Sequence, residues 1–442
     1  MKILDGSSRR GFLASGLALA KAASAARTSE SGQKPSAPVP ESARQAAGLR
    51  YGVLGKTGLK VTRLGFGCLA VSDSSVLSKA LDLGINFFDT ARSYMRGNSE
   101  RMLGVALKGR RQDVILETKS TAPTKAAVLQ ELEASLKELG TDYVDIWYLH
   151  SKNNPEDIKD ELLEAQRIAK QQGKIRFAGV STHVRSTIDY LQKLGQTDVI
   201  LTSYNFSMPP EMGMEKSIAA ARQAGIGIVA MKTMAGGYAR VQRWDDGSTR
   251  GRESQIVFED PKAVMGKLKQ PGFMPAALRW ALKNQDVDTA IVGMIDMEQL
   301  EENFTAMSTP FTDADRKQLS AQLERIRPLY CRMCGACAGQ CPQGLPVADL
   351  LRILTYADGY GQFPLARERY RELPERARQA RCSDCAACAI RCPNGVAVAS
   401  RIRRAQELLA KESVGDRFGL AVRARSRAEH FCMEMFRSRV RW

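Results

Sequence analysis

The stretch Ile85-Asn86-Phe87-Phe88-Asp89-Thr90-Ala91-Arg92-Ser93-Tyr94 runs from a short apolar segment into polar residues. Two later apolar runs also lead to a charged or titratable residue, Val114-Ile115-Leu116 to Lys119 and Val144 to Leu149 to His150. Helical patterns separate the three runs, and strands that alternate with helices indicate βαβ units and a parallel sheet. Reactive residues at the carboxyl ends of successive parallel strands are typical of a (β/α)8 active site.

The whole barrel can be counted from the sequence. Apolar runs predict strands near 61–67, 85–88, 113–118, 143–149, 175–180, 198–203, 226–231 and 288–293. Amphipathic patterns predict helices near 72–83, 98–109, 124–139, 156–172, 185–194, 213–224, 274–285 and 297–306. Eight such units within about 250 residues match the usual size of a TIM barrel. The fold class is therefore α/β, with a (β/α)8 barrel at about residues 49–312.

The barrel segment resembles a known family. Asp89, Tyr94, Lys119 and His150 match, in order and context, the four catalytic residues of the aldo-keto reductases, and the resemblance covers roughly Gly48 to Thr312. The flanking Ser99 to Gly104 and Gly65-Phe66-Gly67 fit the family as well, and the segment around Gly55-Lys56-Thr57 resembles its bottom-closing β-hairpin. The resemblance implies an oxidoreductase that reduces a carbonyl, or oxidises an alcohol or sugar, by nicotinamide hydride transfer.

The four residues can be given roles by their chemistry. A free tyrosine has a pKa of about 10, and a nearby ammonium lowers that pKa because it favours the phenolate. Tyr94 is thus the expected general acid or base, Lys119 its tuner and Asp89 the residue that holds Lys119. His150 would orient and polarise the substrate oxygen. The alternative is an inactive barrel that retains the four residues.

The family's nucleotide-binding positions are only partly kept. Ser181 is present, Thr182 replaces an Asn, and Leu201 replaces a Gln three residues before Tyr204. Tyr204 and Lys232 are also expected to bind the cofactor. Met231, followed by Lys232, stands where a Tyr stacks on the nicotinamide. In the segment aligned with adenosine-phosphate binding, Gly293 and Gln299 replace a Lys and an Arg, whereas Glu302 and Asn303 are kept. Two missing charge-assisted contacts, about 1.5–3 kcal/mol each, weaken the case for NADP over NAD. We expect a tightly bound NAD(P)(H).

Eight of the ten cysteines form two runs of C-x2-C-x2-C-x3-C followed by Pro: Cys331, Cys334, Cys337 and Cys341, then Cys382, Cys385, Cys388 and Cys392. This spacing is typical of ferredoxin-type [4Fe–4S] clusters. Zinc and a disulfide framework are the alternatives, but such spacing crowds four thiols around one point. In two-cluster ferredoxins the fourth cysteine of each run binds the other cluster, so Cys392 would join the first three cysteines and Cys341 the second three.

The region between the cysteine runs predicts helices at Val347 to Thr355 and Pro364 to Leu373. It resembles the α-helical ferredoxin domains attached to respiratory and pyrimidine-reducing enzymes. We therefore expect a small, mostly α-helical two-[4Fe–4S] domain over residues 313–410. Cys68 is expected to be buried beside the active site, and Cys432 is left over.

The ends of the chain have their own signals. Ser8-Arg9-Arg10-Gly11-Phe12-Leu13, with Ala23-Ser24-Ala25 as a possible cleavage site, predicts a twin-arginine signal over residues 1–26 and a periplasmic or extracytoplasmic location. Residues 27–48 have the composition of a linker, and the connection Ala235 to Lys269 predicts a lid or a surface insertion. Residues 411–442 have the composition of a basic tail, which is expected either to pack against the barrel or to form an amphipathic helix on a membrane surface.

Charge limits the classes of partner. The net charge is +17, and residues 401–442 hold eleven Lys and Arg against five Asp and Glu. This excess fits a solvated surface, an acidic redox protein, an anionic substrate or lipid headgroups. No nucleic-acid motif accompanies it.

Three functional hypotheses follow from joining a barrel to two clusters. The barrel could be an oxidoreductase acting on a small molecule while the clusters relay electrons to or from a partner protein. The barrel could instead work alone with purely structural clusters. In the third hypothesis the protein is an electron-transfer or partner-docking module whose barrel is a scaffold.

Overall fold

The computed structural model describes residues 48–237, 273–385 and 387–410. The predicted signal at 1–26, the linker up to residue 47, the connection from residue 238 onward and the tail at 411–442 lie outside the described residues. Cys432 and His430 belong to that tail.

Eight parallel strands close into a barrel, as the sequence predicts, and the last strand, Thr289–Gly293, pairs with the first, Leu64–Gly67. The strands are β3 (Leu64–Gly67), β4 (Phe87–Asp89), β5 (Ile115–Ser120), β6 (Val144–Leu149), β7 (Ile175–Thr182), β8 (Val199–Ser203), β9 (Gly227–Met231) and β10 (Thr289–Gly293). The helices of this part are α1 (Ser74–Asp82), α2 (Asn98–Ala106), α3 (Lys125–Leu139), α4 (Asp160–Gln171), α5 (Arg185–Leu194), α6 (Met214–Gln223), α7 (Phe273–Lys283) and α8 (Met297–Ser308).

Several helix ends follow from local chemistry. The side chains of Asp73, Thr124 and Asp296 accept hydrogen bonds from backbone N–H groups in the first turns of α1, α3 and α8. Such caps satisfy N–H groups that have no partner inside the helix. At the other end of α3, Gly140 adopts a left-handed conformation, which glycine accepts at little steric cost.

A hairpin closes the amino-terminal end of the barrel. Strands β1 (Tyr51–Val53) and β2 (Lys60–Thr62) pair antiparallel, and the turn between them places Leu54 in the barrel interior. Gly55 has φ +51°, and a Cβ at that position would lie 2.3 Å from the Gly227 nitrogen. Only glycine therefore allows the turn to seat against β9, and the reacting groups lie at the opposite end.

The barrel interior is filled by side chains that alternate along the strands, as in other TIM barrels. They are Phe87, Ile115, Ile146, Tyr148, Val199, Leu201, Val229 and Ile291. A second apolar layer lies between the strands and the outer helices. The barrel is therefore a packed core, and chemistry is confined to its carboxyl rim.

The cysteine-rich part is helical, as expected. It contains α10 (Val347–Asp358), α11 (Phe363–Arg371), α12 (Glu375–Gln379) and α13 (Val398–Leu409), packed around their own apolar core. Helix α9 (Asp313–Ile326) precedes it and packs on the barrel, where Leu319 and Ile326 join the barrel core. The barrel core thus continues past residue 312, the predicted boundary.

No helix among the described residues combines the length and the apolar composition needed to cross a bilayer.

Candidate active site

The four predicted catalytic residues come from neighbouring strand ends at the carboxyl rim. Asp89 ends β4, Lys119 lies near the end of β5, and His150 directly follows β6. Tyr94 begins a short 3-10 turn, Tyr94–Gly97, five residues beyond β4. We call these four residues the tetrad.

The centre of the tetrad is a buried ion pair. Lys119 is 1% exposed and Asp89 is 2% exposed, and the Lys119 Nζ donates to the Asp89 carboxylate. The same Nζ donates to the Thr90 carbonyl oxygen at 2.6 Å. Two acceptors therefore fix the ammonium in one position.

Tyr94 faces this ion pair and the histidine. The Lys119 Nζ lies 5.0 Å from the centroid of the Tyr94 ring, and the ring centroids of Tyr94 and His150 are 5.9 Å apart in an edge-to-face arrangement. Met95 and Arg96, directly after Tyr94, have φ of 49° and 55°. Such left-handed residues cost about 1–3 kcal/mol each and concentrate at functional sites. This turn aims Tyr94 at the centre of the rim.

The electrostatics of Tyr94 differ from the prediction. Burial raises the pKa of Tyr94 well above its ordinary value, and the Asp89 carboxylate raises it further. The expected lowering of the Tyr94 pKa by Lys119 is therefore wrong for the free site. The physical reason is that Lys119 is paired with Asp89, so its charge offers little to a phenolate.

His150 is neutral in this site. Burial lowers the pKa of His150 well below its ordinary value, and Lys119, Arg369 and Arg352 lower it further. Its Nδ1 is buried with no hydrogen-bond partner among the described residues. A neutral imidazole keeps one donor and one acceptor nitrogen, so it can donate to a substrate oxygen without carrying charge.

A further carboxyl group, Glu117, lies beneath the tetrad. Asp89 and Glu117 are directly paired in the register of β4 and β5, and Glu117 is 0% exposed. Burial raises the pKa of Glu117 well above its ordinary value, and Asp89 raises it further. No catalytic motif marks this residue. The period of two along a strand would have placed it on the face of Lys119.

Two other residues near the tetrad can be assigned. Cys68 is fully buried, and its backbone N–H donates to the Asp89 carbonyl oxygen at 2.9 Å, which agrees with the prediction that it lies beside the site. Arg92, next to the tetrad in sequence, donates to Glu100 at 2.6 Å. Its charge is therefore directed into the protein.

The expected nicotinamide positions lie around β7 to β9. Ser181 and Thr182 are buried at the end of β7, and the Ser181 Oγ accepts from the Ser151 N–H at 2.8 Å. Leu201 points into the barrel interior and Met231 packs against that layer. Lys232 follows β9 with φ 55°.

The expected adenosine positions lie at the end of β10 and on α8. Gly293 ends β10 and is exposed. The Gln299 side chain donates to Asp296 at 3.1 Å, so its amide is engaged within the helix start. Glu302 is exposed, whereas Asn303 is buried with its Oδ1 unpartnered among the described residues.

Tyr204 does not lie with these residues. Its hydroxyl donates to Glu215 at 2.7 Å and accepts from Asn284 at 3.2 Å, and its ring packs on Trp280 with centroids 4.8 Å apart. The predicted cofactor role of Tyr204 is therefore corrected to a packing role between the sheet and the outer helices. Side chains alternate from the inward-facing Leu201 onward, so Tyr204, three positions later, points outward.

The helical cysteine-rich part contacts the carboxyl rim of the barrel. Asn205, after β8, donates to the Tyr330 hydroxyl at 3.2 Å and to the Lys232 carbonyl oxygen at 3.1 Å. Arg332 donates to the carbonyl oxygens of Ser207 and Asn394. The rim is thus covered by residues that follow the barrel in sequence.

The eight cysteines fall into two groups, each drawing on both runs. The pKa of Cys331 is raised to about 12 by burial first and then by neighbouring Cys337, Cys334 and Cys392. The pKa of Cys382 is raised by burial, with Cys388, Cys341 and Cys385 as further neighbours that raise it. These neighbours have the membership of the crossed sets, and their role as cluster ligands stays a prediction.

The second group surrounds a cavity of about 190 Å³. Its wall contains the four cysteines together with small and apolar side chains such as Leu345, Val398 and Ile402. None of the nine described cysteines forms a disulfide, and among the described residues no three His, Cys, Asp or Glu side chains converge on a point that would hold a single metal ion. A cavity of this size with four thiols on its wall fits an iron–sulfur cluster better than it fits one ion.

Comparisons with known proteins agree with this division. The model of the aldo/keto reductase family matches residues 70–324, and the model of a 4Fe-4S dicluster domain matches residues 330–397.

Individual relatives cover the barrel part. The chain is 28% identical over 303 residues to the uncharacterized oxidoreductase YqkF of Bacillus subtilis, a match covering 63% of this chain and 97% of that protein. It is 30% identical over 284 residues to L-galactose dehydrogenase of Arabidopsis thaliana, covering 58% and 87%. Among solved structures, the holo form of an aldo-keto reductase from Bacillus halodurans matches with a TM-score of 0.50 and 28% identity, covering 62% of this chain and 96% of that one.

Proposed function

Because this chain belongs to the aldo/keto reductase family and carries a 4Fe-4S dicluster domain, we propose that its barrel interconverts a small carbonyl compound and the corresponding alcohol. Tyr94 is the general acid in reduction and the general base in oxidation. The observation that carries the proposal is the convergence of Tyr94 and His150 on the buried Asp89–Lys119 pair.

Tyr94 carries the proton that the reduction needs. Burial keeps the pKa of Tyr94 high, so its hydroxyl is protonated at neutral pH and is available to a developing alkoxide. The neutral His150 supplies a hydrogen bond to the same oxygen, in the manner of an oxyanion donor. In the reverse direction, Tyr94 accepts the proton of the alcohol, and the Lys119 ammonium, held by Asp89, lies 5.0 Å from the centroid of its ring.

A nicotinamide cofactor supplies the hydride when it is bound. Ser181 and Thr182 are the residues proposed to hold its amide, and Asn303 is proposed to bind the adenosine end. The unpartnered Oδ1 of Asn303 supports this, because a buried amide oxygen without a donor costs about 1–3 kcal/mol. Gly293 and Gln299 supply no cation for the 2′-phosphate that distinguishes NADP from NAD. We therefore propose no preference between the two, and both are proposed ligands.

The two clusters are proposed to relay electrons between the barrel and a partner protein. The eight cysteines would hold them, and the clusters would supply one-electron transfer. The docking of Tyr330, next to Cys331, on Asn205 and through it on the Lys232 backbone supports a relay over purely structural clusters, because it joins one cysteine run directly to the rim.

Export by the twin-arginine route remains part of the proposal. Proteins using this route cross the membrane already folded, which suits a protein loaded with clusters. We propose that the nucleotide then stays bound during turnover and copurifies with the protein.

The first test is a titration of anaerobically purified protein with NADPH and with NADH, following nucleotide binding and cluster absorbance together. Tyr94→Phe should lower carbonyl reduction by about 10²- to 10⁴-fold, the usual contribution of general acid catalysis, while nucleotide binding persists. Tyr51→Phe, in the hairpin at the opposite end of the barrel, is the matched control. Absence of binding at millimolar nucleotide, or full activity in Tyr94→Phe, would sink the proposal.

A further inference from the structure

Three cations from two parts of the chain meet around Tyr356 at the rim of the barrel. Lys232 comes from the end of β9, Arg352 lies with Tyr356 on α10, and Arg369 lies on α11. We call Lys232, Arg352 and Arg369 the cationic site. None of these residues belongs to the tetrad or to the cysteine runs.

Lys232 is held over two aromatic rings. Its Nζ lies 4.7 Å from the centroid of the Tyr356 ring and 5.7 Å from that of Tyr360. Among the described residues no carboxylate pairs with this ammonium. Burial lowers the pKa of Lys232, whereas Tyr356 raises it. The Tyr356 hydroxyl also accepts a hydrogen bond from this ammonium. With three N–H donors, an ammonium held by one hydroxyl and by ring faces retains donors for an anion.

Arg352 is close to Lys232 through the same tyrosine. Its Nη1 donates to the Tyr356 hydroxyl at 3.3 Å and its Nη2 to Asp349 at 3.1 Å. The Arg352 Nε is buried and has no hydrogen-bond partner among the described residues. Asp349 is 39% exposed, and such an exposed partner on the same helix contributes little. Arg352 therefore has donor capacity left.

Arg369 extends the positive charge toward the tetrad. It pairs with Glu372 at 2.8 Å, but Glu372 is 52% exposed whereas the Arg369 side chain is 12% exposed. Besides burial and Lys119, the charges of Arg369, Arg352 and Lys232 lower the pKa of His150. The three cations thus act on the position where a substrate oxygen would bind.

The tyrosine at the centre responds to the same field. Burial by itself raises the pKa of Tyr356, but Lys232 and Arg352 outweigh it and bring the pKa down to about 7. The cations therefore favour the negatively charged phenolate form of Tyr356. Lys232 has no carboxylate partner among the described residues, and the partners of Arg352 and Arg369 are exposed to solvent. Buried charge that is only partly paired is costly, so the arrangement is one that an anionic ligand would stabilise.

We propose that the cationic site binds a carboxylate or phosphate group of the substrate and so orients its carbonyl carbon toward Tyr94. This inference rests on the proposed carbonyl reduction and adds the chemical class of the substrate. It also gives the cysteine-rich part a second task, because Arg352, Tyr356 and Arg369 all belong to it. Arg92 is excluded as the anion-binding residue because its partner Glu100 is fully buried, unlike the exposed partners of Arg352 and Arg369.

The test compares substrates that differ only in charge. One pair is 4-carboxybenzaldehyde and its methyl ester, and a second is glyceraldehyde 3-phosphate and glyceraldehyde. Values of kcat/KM are measured for cluster-loaded wild-type protein, Arg352→Gln and Lys232→Gln, which change different parts of the chain. Arg316→Gln is the matched control, because Arg316 forms a similar pair with Asp313 on the solvent-exposed face of α9.

We expect wild-type protein to prefer the anionic member of at least one pair. Arg352→Gln and Lys232→Gln should each lower the anionic-to-neutral ratio of kcat/KM by about 10- to 100-fold, the effect of one lost charge-assisted hydrogen bond. Arg316→Gln should leave the ratio unchanged. Which pair responds distinguishes a carboxylate from a phosphate.

Two results would overturn the inference. One is an equal rate for charged and neutral probes that neither variant changes. The other is a weakened Kd for NADPH or NADH in both variants with an unchanged substrate ratio, which would assign the cations to the nucleotide phosphates.

If no probe turns over at all, it is the proposed function that fails. Calorimetric binding of the same pairs then tests the cationic site independently. Binding of an anionic probe that is lost in Arg352→Gln supports it, and equal binding of charged and neutral probes refutes it.

Discussion

Neutralising Asp89 tests how charge is distributed beneath the tetrad. Asp89 and Glu117 are paired in the register of β4 and β5, and the Lys119 ammonium forms an ion pair with Asp89. Burial and then Asp89 raise the pKa of Glu117 well above its ordinary value, and we predict that Glu117 is a protonated acid at pH 7. In Asp89→Asn, the charge that opposes ionisation of Glu117 is gone while Lys119 remains. We expect Glu117 to lose its proton and become the new counterion.

The magnitude follows from the burial of the pair. Breaking a buried ion pair by removing one partner costs about 3–5 kcal/mol. Because Glu117 takes over, we expect Asp89→Asn alone to cost at most about half of that. Asp89→Asn combined with Glu117→Gln should cost the full amount, and Glu117→Gln alone, which replaces one neutral group by another, less than about 1 kcal/mol. The coupling energy should therefore be at least about 0.5 kcal/mol, and about 1.5–2.5 kcal/mol if Glu117→Gln alone costs nothing, within the range measured for residues in contact.

Two measurements check this reasoning. Thermal unfolding, followed by near-ultraviolet circular dichroism, should show the double variant about 6–20 °C below wild type, at roughly 2–4 °C per kcal/mol for a protein part of this size. Infrared spectroscopy should show the carbonyl stretch of a protonated carboxylic acid at pH 7 in the wild type. That band should disappear in Asp89→Asn as well as in Glu117→Gln. A band that persists in Asp89→Asn, or additive costs across the cycle, would refute the reasoning.

Three further predictions concern other parts of the structure. Arg332→Gln removes charged hydrogen bonds to Ser207 and Asn394, about 1.5–3 kcal/mol each, so cluster absorbance should be lost at a lower temperature than in Arg316→Gln. The KM for an anionic substrate should rise between about pH 6 and 8, because Tyr356 becomes negative above its pKa of about 7 and competes for the cations. Tyr356→Phe should abolish that rise in KM. A rise that persists in this variant contradicts the role given to Tyr356. A Cβ at Gly179 would lie 2.4 Å from the Tyr148 ring, so Gly179→Ala should destabilise the barrel by about 1–3 kcal/mol, with recovery when Tyr148→Leu is added.

Much of the fold followed from local pattern. The eight strands lie where the apolar runs predict them, and the bottom hairpin and the helices between the cysteine runs are present as well. These features depend on hydrophobic periods, turn residues and cap residues within about ten positions of one another. The tetrad could be predicted for a related reason, since a parallel barrel brings the carboxyl ends of all its strands to one rim.

The site differs from its prediction where the environment of a residue decides its behaviour. Tyr204 is predicted to bind the cofactor, yet the alternation of side chains along the strand turns it outward onto Trp280. The pKa of Tyr94 is raised because burial and Asp89 act on it and Lys119 is already paired. Neither result is contained in the spacing of residues along the chain.

The sequence alone thus determined the barrel, the order of its reacting residues and the two cysteine runs, because each rests on residue type and short-range spacing. Only the tertiary structure decided that the cysteine-rich part covers the rim and brings Arg352 and Tyr356 to Lys232, more than a hundred residues earlier in the chain. Burial and electrostatic interaction depend on distance in space, and for residues this far apart in sequence that distance is set by how the two parts of the chain pack together.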